Sequence, residues 1–414
     1  MVASYVIVGD GIAGSSAAET IREAEPEADV IILTDEGEAL YNRILIKEFA
    51  KGKLPEAPIS IHEPEWYAER DIDLRLNTHV TTVDTAAHEV ITHDGTAIPY
   101  DKLLIATGGT PAQLPVENSA ADGIHHFWTF EDARSIREHA ATAETGIVVG
   151  AGLLGIDLAA VCGAQGIDGH YLMRGDRWWR YALSSEGAAI VHDALEEVGV
   201  TPVFGSGVDR FEVDDDGHVT GAVDPNDNRY DGEFVGVAIG LDFNTEWLQE
   251  TDIECEDGVV VDEYLHTGVE DVYAAGDITQ FTDVIVGTRT QNGAWGSAKE
   301  QGATAARNMV AGDRVEEFRW VPSYSITHFE FPFLSFGHPT MGDESEQRKY
   351  GEREWRRLTF REGQLVGGVL IGDLSQQSTY KQLIRSQRDV ADRTDVLLEQ
   401  NVDIEALGPA PQAE

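Results

Sequence analysis

Apolar strands alternate with glycine-rich turns in two stretches of the chain. The first stretch begins with the apolar run from Val6 to Val8 and continues through a turn from Gly9 to Gly14. A predicted helix from Ser15 to Ala24 follows, and a second apolar strand from Val30 to Thr34 leads to Asp35. Strand, turn, helix and strand in this order predict a βαβ unit.

The second stretch repeats this pattern further along the chain. Its strand runs from Ile147 to Val149, its turn from Gly150 to Gly155, its helix from Ile156 to Gln165 and its second strand from His170 to Met173. Two such units predict an α/β fold with two Rossmann-like, three-layer nucleotide-binding domains.

The glycine spacing in the first turn suits a dinucleotide. Gly9 permits the tight turn, Gly11 lets the backbone approach a pyrophosphate, and Gly14 lets the helix pack closely on the strand. Asp35 lies 26 residues after Gly9, where a carboxylate can accept the ribose hydroxyls, and Glu36 is the alternative. We therefore expect the first cofactor here.

The second turn offers the same three glycines, Gly150, Gly152 and Gly155. The strand after it ends in Met173-Arg174, so no carboxylate is placed to bind a ribose hydroxyl. Arginines instead cluster there and could pair with a 2′-phosphate, which favours NADPH over NADH, although they could also be ordinary surface charges. They are Arg174, Arg177 and Arg180.

The C-terminal part has a different texture, with aromatic and β-type residues from about Phe318 onward. Two strands, from Arg356 to Phe360 and from Leu365 to Ile371, precede a predicted helix from Tyr380 to about Gln400. These elements predict a small α+β domain. The last residues, 406–414, are predicted to be disordered.

The large excess of acidic over basic residues limits the kinds of molecule that the protein can bind. Seventy-four acidic residues face 30 basic ones, for a net charge of −44 and a pI of about 4.4. This composition argues against nucleic acid and an anionic membrane surface as partners, because both require a basic face. The scarcity of lysine and the dispersed acid resemble proteins of salt-accumulating halophiles, whose self-repulsion salt would screen.

We also expect a cytoplasmic location. The chain shows no signal-peptide pattern, no apolar run of the roughly 18 residues that span a bilayer, and only two cysteines, which fits a reducing compartment.

Three further motifs carry a resemblance to a known family. Leu104–Gly108 resembles the ATG segment that closes an FAD domain, Val237–Gly240 resembles its counterpart after the NAD(P) domain, and Val272–Asp277 resembles a second FAD fingerprint. With both glycine turns, the chain resembles the FAD/NAD(P) oxidoreductases of the pyridine nucleotide–disulfide reductase superfamily over nearly its whole length.

The resemblance implies roles for individual residues. Asp277 would hold the ribityl chain of FAD, and the helix that starts at Trp295 would direct its N-terminus at the flavin pyrimidine edge. The segment 41–47 is similar to that of rubredoxin and ferredoxin reductases and of nitrite reductase flavin domains; there Arg43 would lie near the FAD phosphates and Lys47, the candidate catalytic residue, near flavin N5.

Other cofactor contacts are implied by position. Asp157 stands where the family often carries Glu. The remaining expected contacts are Val80, Ala106, Thr107, Gly108, Leu153 and Gly240.

The motif order also implies domain boundaries. Residues 1–110 and 241–316 would form a discontinuous FAD-binding domain, residues 111–240 an NAD(P)-binding domain, and residues 317–405 the C-terminal α+β domain.

The cysteines argue against a thiol relay beside the flavin. Cys162 falls inside the predicted second-turn helix and reads as a core residue, and Cys255 lies between Glu254 and Glu256, which would raise the pKa of its thiol. Electrons would then leave the flavin directly.

We therefore expect an NAD(P)H-dependent FAD enzyme that reduces a ferredoxin or rubredoxin-like carrier. The alternatives are the flavin subunit of a larger nitrite reductase or dioxygenase system and a redox-sensing flavoprotein of the apoptosis-inducing-factor type. A homodimer is left open. The basic residues of the C-terminal domain are a candidate docking face for the carrier: Lys349, Arg353, Arg356, Arg357 and Arg361.

Overall fold

The computed structural model describes residues 2–327 and 331–402. The predicted disordered tail, 406–414, and the last residues of the predicted C-terminal domain lie outside these ranges. The chain forms two compact units. Unit one contains the chain up to Asn42, Ala57–Thr110 and Asp242–Pro322, and unit two contains Arg43–Glu56, Pro111–Leu241 and the chain from Ser323 onward.

The strands of the described residues are, in chain order, β1 Ser4–Val8, β2 Asp29–Leu33, β3 Ile72–Arg75, β4 Val80–Asp84, β5 Glu89–Thr92, β6 Ala97–Pro99, β7 Lys102–Ile105, β8 Thr110–Pro111, β9 Ile124–His125, β10 Thr145–Val149, β11 Asp168–Met173, β12 Val200–Phe204, β13 Arg210–Val213, β14 Val219–Val223, β15 Arg229–Asp231, β16 Phe234–Val237, β17 Leu241–Asp242, β18 Val259–Val261, β19 Val272–Ala274, β20 Thr279–Asp283, β21 Thr288–Thr290, β22 Ser323–Ile326, β23 Phe333–Gly337, β24 Glu344–Gly351, β25 Glu354–Arg361 and β26 Gln364–Ile371.

The α-helices are α1 Ile12–Ala24, α2 Ile46–Ala50, α3 Pro64–Ala68, α4 Phe130–Ala140, α5 Leu153–Gln165, α6 Ser185–Glu197, α7 Trp295–Ala311, α8 Gln377–Ser386 and α9 Thr394–Leu397, with 3₁₀ turns at Glu246–Leu248 and Ala391–Arg393. Both predicted glycine-turn helices exist, and each begins about one turn earlier than the sequence pattern predicts. No helix among the described residues is both long and apolar enough to cross a bilayer.

Unit one is built on a five-stranded parallel sheet in the order β19-β7-β1-β2-β3. The central strand β1 is buried from Tyr5 to Val8, as expected for a parallel strand covered on both faces. Helices α1 and α7 pack so closely that a Cβ on Gly302 would lie 2.0 Å from the carbonyl oxygen of Ala13. A three-stranded antiparallel sheet, β4-β5-β6, also belongs to unit one.

Unit two combines a second parallel sheet, in the order β12-β11-β10-β16-β9, with an antiparallel sheet in the order β22-β23-β26-β25-β24. The antiparallel sheet packs on the parallel-sheet part of unit two through Trp355, which is fully buried and whose ring leaves room only for glycine at Gly187 of α6. The predicted fold class, α/β with a small C-terminal α+β part, is confirmed.

The predicted helix from Tyr380 to Gln400 is wrong as a continuous element. Helix α8 ends at Ser386, because Gln387 adopts a left-handed conformation with φ of 48°. A 3₁₀ turn and the short α9 follow.

Candidate functional site

In the first glycine turn, Gly9 and Gly14 are tightly packed against neighbouring backbone, whereas Gly11 faces open space. Gly9 has a φ of +112°, and a Cβ there would lie 2.3 Å from the carbonyl oxygen of Ala106 in the predicted ATG segment. A Cβ on Gly14 would lie 2.0 Å from the carbonyl oxygen of Gly9, whereas a Cβ on Gly11 would meet no atom within 4 Å. Gly11 is also the N-cap residue of α1, and no side chain among the described residues accepts a hydrogen bond from the first backbone amides of this helix. A phosphate can therefore approach the backbone at Gly11.

The turn that carries Asp277 is fixed by α7 within unit one. The side-chain oxygen of Gln301 accepts hydrogen bonds from the Gly276 amide and the Thr279 hydroxyl, each at 2.8 Å. The side-chain nitrogen of Gln301 and the hydroxyl of Ser297 are buried and have no hydrogen-bond partner among the described residues. Buried polar groups normally have partners, so these two fit a site that receives a polar ligand.

Helix α7 also begins as the resemblance predicts. Trp295 is its first residue, and the N-cap, Ala294, offers no side-chain cap. With the open turn at Gly11, unit one thus presents two helix N-termini that a dinucleotide's acceptor groups can satisfy, and its residues fit FAD.

The two candidate ribose carboxylates differ in their surroundings. Asp35 follows β2, is mostly exposed and lies 3.8 Å from His79 Nδ1. Glu36 is half-buried and accepts a 2.6 Å hydrogen bond from the Tyr41 hydroxyl. Val80 is the first residue of β4, with its side chain in the core of unit one.

Asp10, between the first two glycines, is a buried acid that motif reasoning missed. The Tyr67 hydroxyl lies 2.8 Å from one carboxyl oxygen and 2.9 Å from the other, and it also contacts the Ser15 hydroxyl at 3.3 Å. Burial raises the pKa of Asp10 to about 7, against the opposing effect of the Tyr67 hydrogen bond. The sequence signal that could have identified Asp10 is an acidic residue inside a glycine turn that is suited to bind an anion.

The second glycine turn repeats the backbone of the first. Gly150 has a φ of +125°, and a Cβ there would lie 2.0 Å from the carbonyl oxygen of Ala238. A Cβ on Gly152 would meet nothing within 4 Å. Helix α5 starts at Leu153 without a side-chain cap. Gly240 closes the neighbouring strand's loop with a φ of +127°.

A loop after β11 braces this second turn. The Trp178 indole nitrogen donates to the carbonyl oxygen of Gly152 at 3.2 Å. The backbone nitrogen of Trp179 donates to the carbonyl oxygen of Ala151 at 3.1 Å. Trp178 is fully buried. Neither tryptophan was predicted as a site residue, because their contacts depend on how the loop folds back.

The three arginines of this loop separate into two kinds. Arg177 bonds the carbonyl oxygens of Leu183 and Arg180 at 2.9 and 3.1 Å, so it holds the loop together. Arg174 directly follows β11 and is exposed. Arg180 is also exposed, with its guanidinium 2.7 Å from the Tyr181 hydroxyl.

Lys47 and Asp157, predicted separately, form an ion pair in unit two. The Lys47 ammonium lies 2.5 Å from an Asp157 carboxyl oxygen, and Asp157 is 1% exposed. Tyr324 completes the cluster: its hydroxyl donates to the same carboxyl oxygen at 2.8 Å and contacts the Lys47 ammonium. Burial, with the adjacent Asp157 charge, raises the pKa of Tyr324 well above its usual range, so the phenol stays protonated.

Arg43, expected near the FAD phosphates, contacts residues of unit two. Its guanidinium donates to the carbonyl oxygen of Trp128 at 2.7 Å and lies 5.5 Å from the Trp128 ring centre. Its role toward FAD stays a prediction, as do the roles of the other expected cofactor contacts.

The two thiols have the surroundings expected of them. Cys162 is fully buried in α5, and burial raises the pKa of its thiol to about 12. Burial and the Glu254 carboxylate raise the pKa of Cys255. Neither is primed as a nucleophile.

One of the five residues of the predicted basic docking face, Arg356, is buried. Arg356 is fully buried and donates to Asp373 at 2.7 Å and to the carbonyl oxygen of Glu399 at 3.0 Å. Arg357 donates to the carbonyl oxygen of Ala182 at 2.7 Å, and Arg353 pairs with Glu197. Arg356 is therefore not available to a docking face, because the fold uses its charge in buried contacts, whereas the docking role of Lys349, Arg353, Arg357 and Arg361 stays a prediction.

Two family models match the chain. One, described as pyridine nucleotide-disulphide oxidoreductase, matches residues 3–304, and the other, described as rubredoxin NAD+ reductase C-terminal domain, matches residues 322–388. The NAD(P)H nitrite reductase of Bacillus subtilis is 26% identical over 408 residues, covering 97% of this chain and 49% of that protein. The chain thus spans about half the length of that relative.

A shorter relative and a solved structure complete the comparison. The ferredoxin–NAD(+) reductase component of the Paraburkholderia xenovorans biphenyl dioxygenase system is 29% identical over 279 residues, covering 67% of this chain and 68% of that protein. The covalent putidaredoxin reductase–putidaredoxin complex has a chain that matches with a TM-score of 0.91 at 23% identity, covering 98% of both chains. At this identity the structural match supports the fold.

The glycine geometry predicts different outcomes for two alanine substitutions. Gly14→Ala should destabilise the protein by about 2 kcal/mol, because its Cβ would collide with a backbone oxygen. Gly11→Ala should cost at most about 1 kcal/mol, since Gly11 has a φ of −73° and open space, yet weaken FAD binding about tenfold or more. Chemical denaturation and FAD titration of the apoprotein measure both. Unchanged FAD affinity in Gly11→Ala would contradict the phosphate position.

Asp10→Asn should stabilise the apoprotein at pH 8 and not at pH 4. The folded pKa of Asp10, about 7, lies above the unfolded value of about 3.9, so the stability that protonated Asp10 provides is present below about pH 4 and is lost as the pH rises through 7. The expected gain at pH 8 is on the order of 2 kcal/mol by denaturant titration.

Asp94→Asn is the matched control of opposite sign. Hydrogen bonds from Thr92 and Thr96 lower the pKa of Asp94 to about 2, so its ionised form stabilises the fold above about pH 4 and Asn should destabilise at pH 8. Equal pH responses of the two variants would refute the assignment.

Proposed function

The chain belongs to the pyridine nucleotide-disulphide oxidoreductase family, and we propose that it passes electrons from a nicotinamide dinucleotide through FAD to a small electron-transfer protein. Members of this family are FAD-dependent NAD(P)H oxidoreductases, so the expected enzyme class and cofactors are confirmed. The identity of the electron acceptor and the residue roles are our proposal.

The observation that carries the proposal is the Lys47–Asp157–Tyr324 cluster on the nicotinamide-binding unit, in a chain without a primed thiol. FAD, when bound, supplies the capacity to accept a hydride and release electrons singly. We infer from the family resemblance that the ammonium of Lys47 provides a positive charge for that chemistry; within unit two, Asp157 and Tyr324 hold this ammonium in place. No cysteine is available to carry the electrons onward through a disulfide.

A one-electron carrier is the acceptor this arrangement favours. The C-terminal match to a rubredoxin reductase domain and the similarity to a dioxygenase ferredoxin reductase support a ferredoxin or rubredoxin. A second candidate is the flavin-containing part of a nitrite reductase, which the 97% coverage of this chain by the Bacillus relative favours.

The test is steady-state turnover with purified ferredoxin, rubredoxin and nitrite as acceptors, at low and high salt. Rapid NAD(P)H oxidation with a carrier protein supports the proposal. Turnover that requires a separate nitrite-reducing protein would favour the second candidate, and activity with disulfide substrates alone would overturn both.

Lys47→Met should slow reduction of bound FAD by NAD(P)H on the order of 10- to 100-fold, because the positive charge is lost. Lys47→Arg should retain part of the rate. Stopped-flow flavin absorbance measures it. The control is Lys53→Met, because Lys53 is exposed and lies in the same segment of unit two, Arg43–Glu56. FAD in this control should be reduced at the wild-type rate. A wild-type rate in Lys47→Met as well would refute the proposed role of Lys47.

We also propose that Arg174 and Arg180 recognise the 2′-phosphate of NADPH. Both are exposed beside the carboxyl end of β11, where the ribose of a dinucleotide bound to this turn would lie. The residue before Arg174, Met173, is fully buried and carries no charge that would repel a phosphate. Arg177 has the structural role described above.

Arg174→Ala and Arg180→Ala should each lower kcat/KM for NADPH about tenfold, the effect of losing one charged hydrogen bond, and leave NADH unchanged. Arg210→Ala, which removes a partly exposed arginine elsewhere in unit two, is the control. An equal loss with NADH and NADPH would show that the arginines bind some other part of the cofactor.

A further inference from the structure

Asp10 is a buried carboxyl within the turn that receives the cofactor phosphates. It is 7% exposed and lies between Gly9 and Gly11. A carboxylate here is unexpected, because an open glycine turn at a helix N-terminus is suited to bind an anion and a second negative charge opposes it.

The groups around Asp10 come from three other parts of unit one. The Tyr67 hydroxyl on α3 contacts both carboxyl oxygens, the Ser15 hydroxyl on α1 contacts Tyr67, and the backbone amide of Leu40 hydrogen-bonds the carboxyl. The one further charge that acts on it among the described residues is the carboxylate of Glu36, which also disfavours ionisation. No described cation offsets the charge of Asp10.

These surroundings leave the carboxyl balanced between its two forms near neutrality. Burial is the largest cause of its pKa of about 7, and the hydrogen bonds from Tyr67 and Leu40 act in the opposite direction. Two additional phosphate charges beside the turn would shift the balance further toward the protonated form.

We propose that FAD binds to the form of the chain in which Asp10 is protonated, so that binding takes up one proton near and above neutral pH. This inference rests on the proposed function, because it requires FAD at the first glycine turn. The proton removes the repulsion between the buried carboxylate and the diphosphate. The neutral acid can also donate a hydrogen bond, with the Tyr67 hydroxyl as a neighbouring acceptor.

FAD binding should weaken as the pH rises above the pKa of Asp10 in the apoprotein. Below pH 7 Asp10 is already protonated in the apoprotein, and FAD binding requires no proton from solvent. Between the pKa of the apoprotein and the higher pKa of the complex, each unit rise in pH weakens FAD binding by up to about tenfold. Release of the cofactor at alkaline pH is therefore a property of this turn.

The experiment is calorimetric titration of FAD into the apoprotein at pH 6, 7 and 8, in two buffers of different ionisation enthalpy. At pH 8 the wild type should take up about one proton per FAD, and its Kd should be about tenfold higher than at pH 6. Asp10→Asn, which is neutral and of the same shape, should take up none and show a Kd independent of pH.

A second variant protects the test against a folding defect in Asp10→Asn. Tyr67→Phe removes the hydroxyl that favours the ionised carboxyl, so the window of proton uptake should move to higher pH. Circular dichroism of both apoproteins establishes that they are folded.

The outcomes are distinguishable. Tight FAD binding without proton uptake in the wild type would overturn the inference and leave the proposed function intact. Undiminished proton uptake in Asp10→Asn would assign the proton to another group and overturn it too. Absence of FAD binding at every pH would count against the proposed function itself.

Discussion

Unit two depends on the interactions that the buried carboxylate of Asp157 makes with two distant side chains. Its partners, Lys47 and Tyr324, lie 110 and 167 residues away in the sequence, and Tyr324 belongs to the C-terminal sheet. An unpaired charge at this depth would cost several kcal/mol, and both partners are needed to offset it. The residues 43–56 and the C-terminal sheet therefore belong to the same compact unit as α5. Structure and proposed chemistry rest on the same three side chains.

The sequence predicts what depends on local geometry and fails where a contact is set by the tertiary fold. Both glycine turns were predicted because backbone clashes, such as Gly14 against Gly9, act within a few residues. Lys47 and Asp157 were predicted one at a time, but their pairing and the contribution of Tyr324 depend on distant segments meeting. Arg356 shows the opposite error: a strand charge that reads as exposed is buried against Asp373. The domain boundaries and the assigned cofactor contacts stay predictions.

The two glycine turns share a backbone and differ in the charges around it. A buried acid, Asp10, lies within the first turn, and the carboxylates Asp35 and Glu36 follow its second strand. The equivalent position of the second turn is Ala151, and exposed arginines follow its second strand. Carboxylates accept hydrogen bonds from free ribose hydroxyls and repel a phosphate there, whereas arginines do the reverse. Under the proposed assignments, the same fold would distinguish two dinucleotides mainly through the charges that follow the second strand of each unit.

The internal use of cations has a consequence for the protein's exterior. Of 30 basic residues, Lys47, Lys51 and Arg356 all lie in pairs that are largely buried, against 74 acids across the chain. Because each pair is neutral, such pairing leaves the net charge of −44 unchanged, but it leaves fewer cations at the surface for a carrier to contact. An acidic carrier would then be repelled at low ionic strength, and at about 1 M salt, where the screening length falls to about 3 Å, the repulsion would act only at contact. A halophilic origin stays a prediction, but the physical argument is independent of it: for this chain, salt should promote the encounter with an acidic partner, because what it screens is repulsion.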